Sequence, residues 1–81
     1  MQSIEIYSTN TCSHCLAAKM LLDEKNYEYQ EYKIGVDITA NKFYELMDGV
    51  GGRHTVPQIF VDGKYIGGYT ALVEKMEAVD M

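Results

Sequence analysis

Tryptophan is absent from this 81-residue chain, proline occurs once and cysteine only twice. With a single proline and no Gly/Ser tract, no segment reads as a linker or a disordered tail. Two cysteines are too few for the disulfide framework of a small secreted domain. No apolar run approaches the roughly 20 residues of a membrane-spanning helix. Met1-Gln2-Ser3-Ile4 has neither the basic segment nor the hydrophobic core of a secretion signal, so a cytoplasmic protein is expected. Positive charge is also scarce, with seven Lys and Arg against twelve Asp and Glu and a net charge of −5. A nucleic-acid-binding face needs a basic excess to displace counterions from phosphates, so nucleic acid is not an expected partner, and neither is a membrane. The acidic residues are spread along the chain and read as a solvated surface.

What is present suits one globular domain over residues 1–81. Apolar residues make up 47% and charged residues 23%, both ordinary for such a domain. Ser3 to Tyr7 alternates as a strand does and runs into the polar stretch Ser8-Thr9-Asn10-Thr11. From Ser13 to about Lys25 the period becomes helical, with Leu16, Ala17, Met20 and Leu21 on one face. Glu28 to Ile34, rich in Tyr, forms a second strand. Asp37 or Thr39 then caps a helix with Phe43, Leu46, Met47 and Val50 at helical spacing, which Gly49, Gly51 and Gly52 stop. Gln58 to Val61 and Lys64 to Ile66 flank Asp62-Gly63, a strong hairpin signal because both turn positions favour positive φ. Gly67-Gly68 closes that hairpin, and Thr70 caps a last helix with Leu72, Val73, Met76 and Val79 inward. The order β-α-β-α-β-β-α predicts a right-handed parallel crossover followed by an antiparallel hairpin. The expected fold is α/β and thioredoxin-like, a four-stranded mixed sheet with helices on both faces.

The chemistry concentrates at Cys12-Ser13-His14-Cys15, where the first strand hands over to the first helix. Two thiols three positions apart on a helical turn lie close enough for a disulfide. Cys12, at the helix N-terminus, meets unpaired N–H groups and the positive end of the dipole. Its pKa is expected to fall from about 8.5 into the range of roughly 3.5–7.5. Cys15, one turn in, stays protonated through burial. The first thiolate attacks a disulfide and the second thiol resolves the mixed disulfide. Two other readings stand beside this one. The pair could be half of a zinc site completed by His14 and His54, although the usual second Cys or His pair is missing; or it could be an inert pair of small core residues. His14, between the thiols, either tunes the Cys12 thiolate or is a solvent-exposed rim residue, and Ser13 shares that position.

Three segments together, Ile6-Tyr7-Ser8 before Cys12-Ser13-His14-Cys15, Thr55-Val56-Pro57-Gln58-Ile59-Phe60-Val61-Asp62-Gly63, and Ile66-Gly67-Gly68-Tyr69-Thr70, resemble the glutaredoxin family over essentially the whole chain. The resemblance implies a glutathione-dependent thiol–disulfide oxidoreductase acting in electron transfer and redox homeostasis. It implies that Pro57 is a cis-proline presenting the Val56 backbone to an extended peptide such as glutathione. It implies that Gly67-Gly68 admits the ligand closely, that the N–H groups of Tyr69 and Thr70 receive the γ-glutamyl carboxylate, and that Arg53 meets the glycine carboxylate. Tyr7 is expected to line the same groove. Implied partners are glutathione, glutathionylated or disulfide-bearing proteins, and ribonucleotide reductase, with the protein acting as a monomer.

The chain departs from the family pattern in three places. Ser13 and His14 replace the Pro-Tyr of the common Cys-Pro-Tyr-Cys. Thr9 stands where the family usually has Lys, and Thr70-Ala71 stands where acidic residues are frequent. These leave two rivals open: a redoxin served by thioredoxin reductase without glutathione, and a carrier of a [2Fe–2S] cluster held between two subunits.

Overall fold

The computed structural model describes residues 3–80, with side chains described as far as Met76. The first strand, β1 (Ile4–Ser8), buries Ile4, Ile6 and Ser8 and leaves Glu5 and Tyr7 half-buried, the alternation of a strand covered differently on its two faces. Helix α1 (Ser13–Glu24) starts from Cys12, whose sulfur takes the place of a capping hydroxyl. Strand β2 (Tyr29–Lys33) follows. Helix α2 (Ala40–Val50) is capped by Thr39, whose Oγ1 accepts the Lys42 N–H at 3.2 Å. Asp37 instead accepts the Lys33 N–H at 2.9 Å and holds the preceding loop. The helix passes through Gly49 and stops at Gly51. Strands β3 (Gln58–Val61) and β4 (Lys64–Gly67) are joined by Asp62 and Gly63 at φ 53° and 81°, the positive-φ pair that the dipeptide predicts. Helix α3 (Tyr69–Asp80) closes the chain.

The sheet order is β2-β1-β3-β4, with β1 and β2 parallel and the other neighbours antiparallel. Helices α1 and α3 cover one face, where Ala18, Leu22, Leu72 and Met76 pack on Ile4, Ile6, Ile59 and Val61. Helix α2 covers the other, with Phe43 and Met47 against Phe60. This is the expected thioredoxin-like arrangement. Each fully buried Leu or Phe stabilises it by roughly 1.5–3 kcal/mol.

The first helix presents a different face from the one expected, while the last buries the expected Leu72 and Met76. In α1 the buried residues are Cys15, Ala18 and Leu22, whereas Leu16 and Met20 are 57% and 60% exposed. Both stripes of α1 are apolar, so periodicity alone does not choose between them. The stripe with small Cys15 and Ala18 lets the helix backbone approach the sheet and is the one buried. In α3, Leu72 and Met76 are buried, Val73 is half-buried, and the side chain of Val79 lies outside the described residues. Thr70 is not the cap of α3. The Gly68 carbonyl accepts the first helical N–H, from Leu72 at 3.1 Å, which puts Thr70 inside the first turn. Val50, at helical spacing with the buried Phe43 and Met47 of α2, is 39% exposed.

Beneath the start of α1, the fully buried Ser8 hydroxyl donates to Glu31 Oε2 at 2.6 Å, and Lys19 Nζ donates to the same oxygen at 2.8 Å. Burial pulls the Glu31 carboxyl upward, but these two bonds outweigh it and leave its pKa below the ordinary value. The trio ties β1, β2 and α1 together directly behind the two cysteines.

Candidate functional site

The polar residues after β1 turn the chain so that Cys12 sits at the very start of α1. The Leu16 N–H donates to the Cys12 carbonyl at 3.2 Å, and the Cys15 N–H points at the Cys12 sulfur, also at 3.2 Å. Both cysteines are free thiols, Cys12 partly exposed and Cys15 only 1% exposed. Burial, reinforced by its hydrogen bond with Cys12, pushes the Cys15 thiol up to about 12, against weaker opposing pulls from the Thr9 backbone and Lys19. At neutral pH Cys15 therefore holds its proton, while Cys12 is the sulfur that an incoming disulfide can reach.

Across from Cys12 stands the Val56–Pro57 peptide bond, which is cis. The Cys12 thiol donates to the Val56 carbonyl at 3.6 Å, an ordinary length for a sulfur donor. Beyond Val56 opens a groove of about 660 Å³, lined by His14, Gly51, Gly52, Arg53, Thr55, Val56, Pro57, Gln58, Tyr65, Gly68, Tyr69 and Thr70. That size suits a small-molecule ligand. One wall is the loop from Arg53 to Pro57. The other is the first turn of α3, whose leading N–H groups have no intrahelical acceptor. The two walls touch, because a Cβ on Gly68 would lie 3.2 Å from the Pro57 carbonyl oxygen. Gly67, at φ 123°, sets up that approach in a conformation that side chains avoid, and a Cβ there would lie 2.9 Å from that of Ala71. Among the described residues, no carboxylate lines the groove. Its ionisable groups are the Arg53 guanidinium, His14 and two phenols, so with the α3 N-terminus it presents positive potential at separate points.

Among the residues singled out by sequence, Arg53, Val56, Pro57, Gly68, Tyr69, Thr70 and His14 converge on this groove. The His14 ring lies 6.0 Å from that of Tyr69, at the rim. Ser13 lies apart, lining a second hollow that also contains Cys12. Tyr7 is not in the groove. It packs on the α2 side of the sheet, its ring 5.0 Å from Tyr32, 5.7 Å from Phe60 and 5.9 Å from Phe43. A residue on β1 with Tyr7's parity faces α2, whereas the groove opens past the end of the strands. His54, offered to a zinc site, instead pairs with Asp48 at 2.7 Å and stacks on Tyr44 at 4.5 Å.

Sequence reasoning missed the support of the groove. Gln58 is 3% exposed, yet both polar atoms of its side chain are partnered. Its Nε2 donates to the Arg53 carbonyl at 3.1 Å and to Thr55 Oγ1 at 3.2 Å, and its Oε1 accepts from the Tyr65 hydroxyl at 2.7 Å. Gly52 lets Tyr65 pack close, since a Cβ there would lie 3.0 Å from the hydroxyl and crowd it. The available signal was a polar residue opening the otherwise apolar run Gln-Ile-Phe-Val.

Residues 4–66 match the family model described as Glutaredoxin. Glutaredoxin 3 of Escherichia coli strain K12 is 44% identical over 68 residues, which span 84% of this chain and 78% of that protein. The crystal structure of glutaredoxin 1 from Francisella tularensis complexed with cacodylate superposes with a TM-score of 0.81 at 35% identity, covering 98% of this chain and 96% of that one. That of a buckwheat glutaredoxin–glutathione complex gives 0.84 at 26% identity, covering 96% and 71%.

Proposed function

The chain belongs to the glutaredoxin family, whose members are thiol–disulfide oxidoreductases, and from that premise we propose that it reduces protein disulfides and glutathione mixed disulfides with glutathione as its electron donor. The observation that carries this reading is the groove beside Cys12, where Arg53, on the same wall as the Val56 backbone, and the N-terminus of α3, on the opposite wall, offer two separate places for anions. Glutathione has a carboxylate at each end and a thiol between them, along an extended peptide. The buckwheat relative of the same fold was crystallised with that ligand.

In this mechanism the Cys12 thiolate attacks one sulfur of a client disulfide, forming a mixed disulfide and expelling the other client sulfur as a thiolate. Cys15 then attacks the Cys12 sulfur; the Cys12–Cys15 disulfide forms, the client sulfur leaves, and the proton from Cys15 passes to it. Two glutathione thiols restore the dithiol and become one glutathione disulfide. With a glutathionylated client Cys12 attacks the glutathione sulfur, and one further glutathione completes the turnover without Cys15. Val56, Pro57, Gly68, Tyr69, Thr70 and Arg53 bind the tripeptide, and His14 shapes the rim. Ribonucleotide reductase and glutathionylated proteins fit as clients, in the cytoplasm.

The test is turnover of a glutathione mixed disulfide coupled to glutathione reductase and NADPH. Wild type is expected to be active, Cys12→Ser inactive and Cys15→Ser active. Folded, reduced wild type that turns over only with thioredoxin reductase would overturn the reading in favour of the redoxin rival. No observation in the site or the comparisons favours the [2Fe–2S] carrier.

A further inference from the structure

Cys12 borders the tripeptide groove through Val56 and also lines a second hollow, of about 390 Å³, which shares no lining residue with the first. A disulfide under attack by Cys12 has two substituents to place, one on each sulfur, and a groove fitted to one tripeptide leaves the rest of a protein client unaccounted for. The second hollow has its own chemistry. It is lined by Lys19 and Lys33, the polar Thr9 and Asn10, and the apolar Leu16. Lys19 is held by Glu31, whose carboxylate also feels the Lys33 charge, while Lys33 forms no direct ion pair among the described residues. The hollow is thus a basic spot on a chain whose net charge is −5. From its edge, Leu16 and Met20 continue along α1 at i and i+4, 57% and 60% exposed, while the opposite stripe of the helix carries the core.

We infer that this hollow is the docking subsite for the client polypeptide, and that it takes an extended segment with a carboxylate near the reactive cysteine and an apolar side chain beyond it. The carboxylate meets Lys33, the apolar side chain lies on Leu16 and Met20, and Thr9 and Asn10 hydrogen-bond the segment's backbone. This charge complementarity accelerates encounter and fixes which side of the disulfide faces Cys12. The inference rests on thiol–disulfide exchange at Cys12, and it stands whether or not glutathione is the electron donor.

The experiment follows a single turnover of the reduced protein, without glutathione, by rapid quench. Three disulfides are compared: a peptide with an internal disulfide flanked by Asp and Leu, the same peptide with Lys for Asp, and neutral bis(2-hydroxyethyl) disulfide. At low salt the Asp peptide is expected to react about three- to fivefold faster than the Lys peptide, the scale of one exposed charge pair, with the gap closing in high salt. Lys33→Glu reverses the preference and leaves the small neutral disulfide unchanged. Leu16→Ser slows both peptides and spares the small disulfide. Equal rates for the two peptides in wild type, or a preference that survives Lys33→Glu, would overturn the inference. So would a Lys33→Glu effect on the small disulfide as large as on the peptides, since Lys33 would then act on Cys12 rather than on the client. Because the assay contains no glutathione, failure of glutathione dependence leaves these outcomes untouched.

Discussion

Replacing Tyr65 by Phe removes one oxygen atom and leaves the Gln58 Oε1 without its donor at 2.7 Å. Gln58 is 3% exposed with Tyr65 in place, so the acceptor depends on that hydroxyl. A buried acceptor stripped of its partner costs about 1–3 kcal/mol. For a domain of this size, about 2 kcal/mol corresponds to a fall in Tm of roughly 8–16 °C. In a Gln58→Met background the acceptor no longer exists, and the same Tyr65→Phe change is expected to cost almost nothing. The coupling between the two positions should therefore be about 1–3 kcal/mol, read from a double-mutant cycle of urea unfolding on the reduced proteins. The functional consequence follows from the other end of Gln58, which holds the Arg53 carbonyl and the Thr55 hydroxyl. Gln58→Met frees the loop that forms one wall of the groove, so KM for the glutathione mixed disulfide is expected to rise several-fold while kcat stays near wild type. Additive costs in the cycle would refute the view that this hydrogen bond supports the groove. A loss in kcat with unchanged KM would refute its link to binding.

Gly67→Ala forces a side chain into φ 123° and against the Ala71 Cβ, at a cost of about 1–3 kcal/mol. It should displace the first turn of α3 and raise KM for the same substrate, which steady-state kinetics reads directly. Leu22→Ala, at a fully buried position, should cost about 2–5 kcal/mol in urea unfolding, whereas Leu16→Ala on the exposed stripe should stay within about 0.5 kcal/mol. The Cys15 thiol ionises at about 12 in the folded protein, against an ordinary value of 9.0, so the folded state keeps a proton that the unfolded chain gives up. Stability of the reduced protein should be level below pH 9 and fall as pH rises towards 12. Tyr7, Tyr29 and Tyr32, also raised, act in the same direction at the alkaline end, so the comparison with Cys15→Ala isolates the cysteine.

Local features of the sequence were enough for the element order, the hairpin and the place of the cysteines. Asp62-Gly63 accepts positive φ wherever it occurs, and Thr39 caps a helix through its own hydroxyl three residues ahead. The Cys-x-x-Cys spacing, set at a strand-to-helix junction, determined by itself which sulfur would be exposed and which buried. The short segments around Thr55-Val56-Pro57 and Gly67-Gly68 marked most of the groove, because their backbone conformations are written in Pro and Gly. Tertiary structure decided what local pattern left degenerate. Helix α1 has apolar residues on both sides, and only the fit of Cys15 and Ala18 against the sheet selected the buried one. Tyr7 reads as a groove residue by its nearness in sequence to Cys12, but strand parity sends it to the other face. Gln58 finds its partners on Arg53, Thr55 and Tyr65, three residues from two other elements, and Lys19 and Lys33 meet beside Cys12 from a helix and a strand. Periodicity and capping act within one turn or one strand and can be read from neighbours in the chain. A buried hydrogen bond or a charged hollow depends on residues that only the packing of separate elements brings within reach.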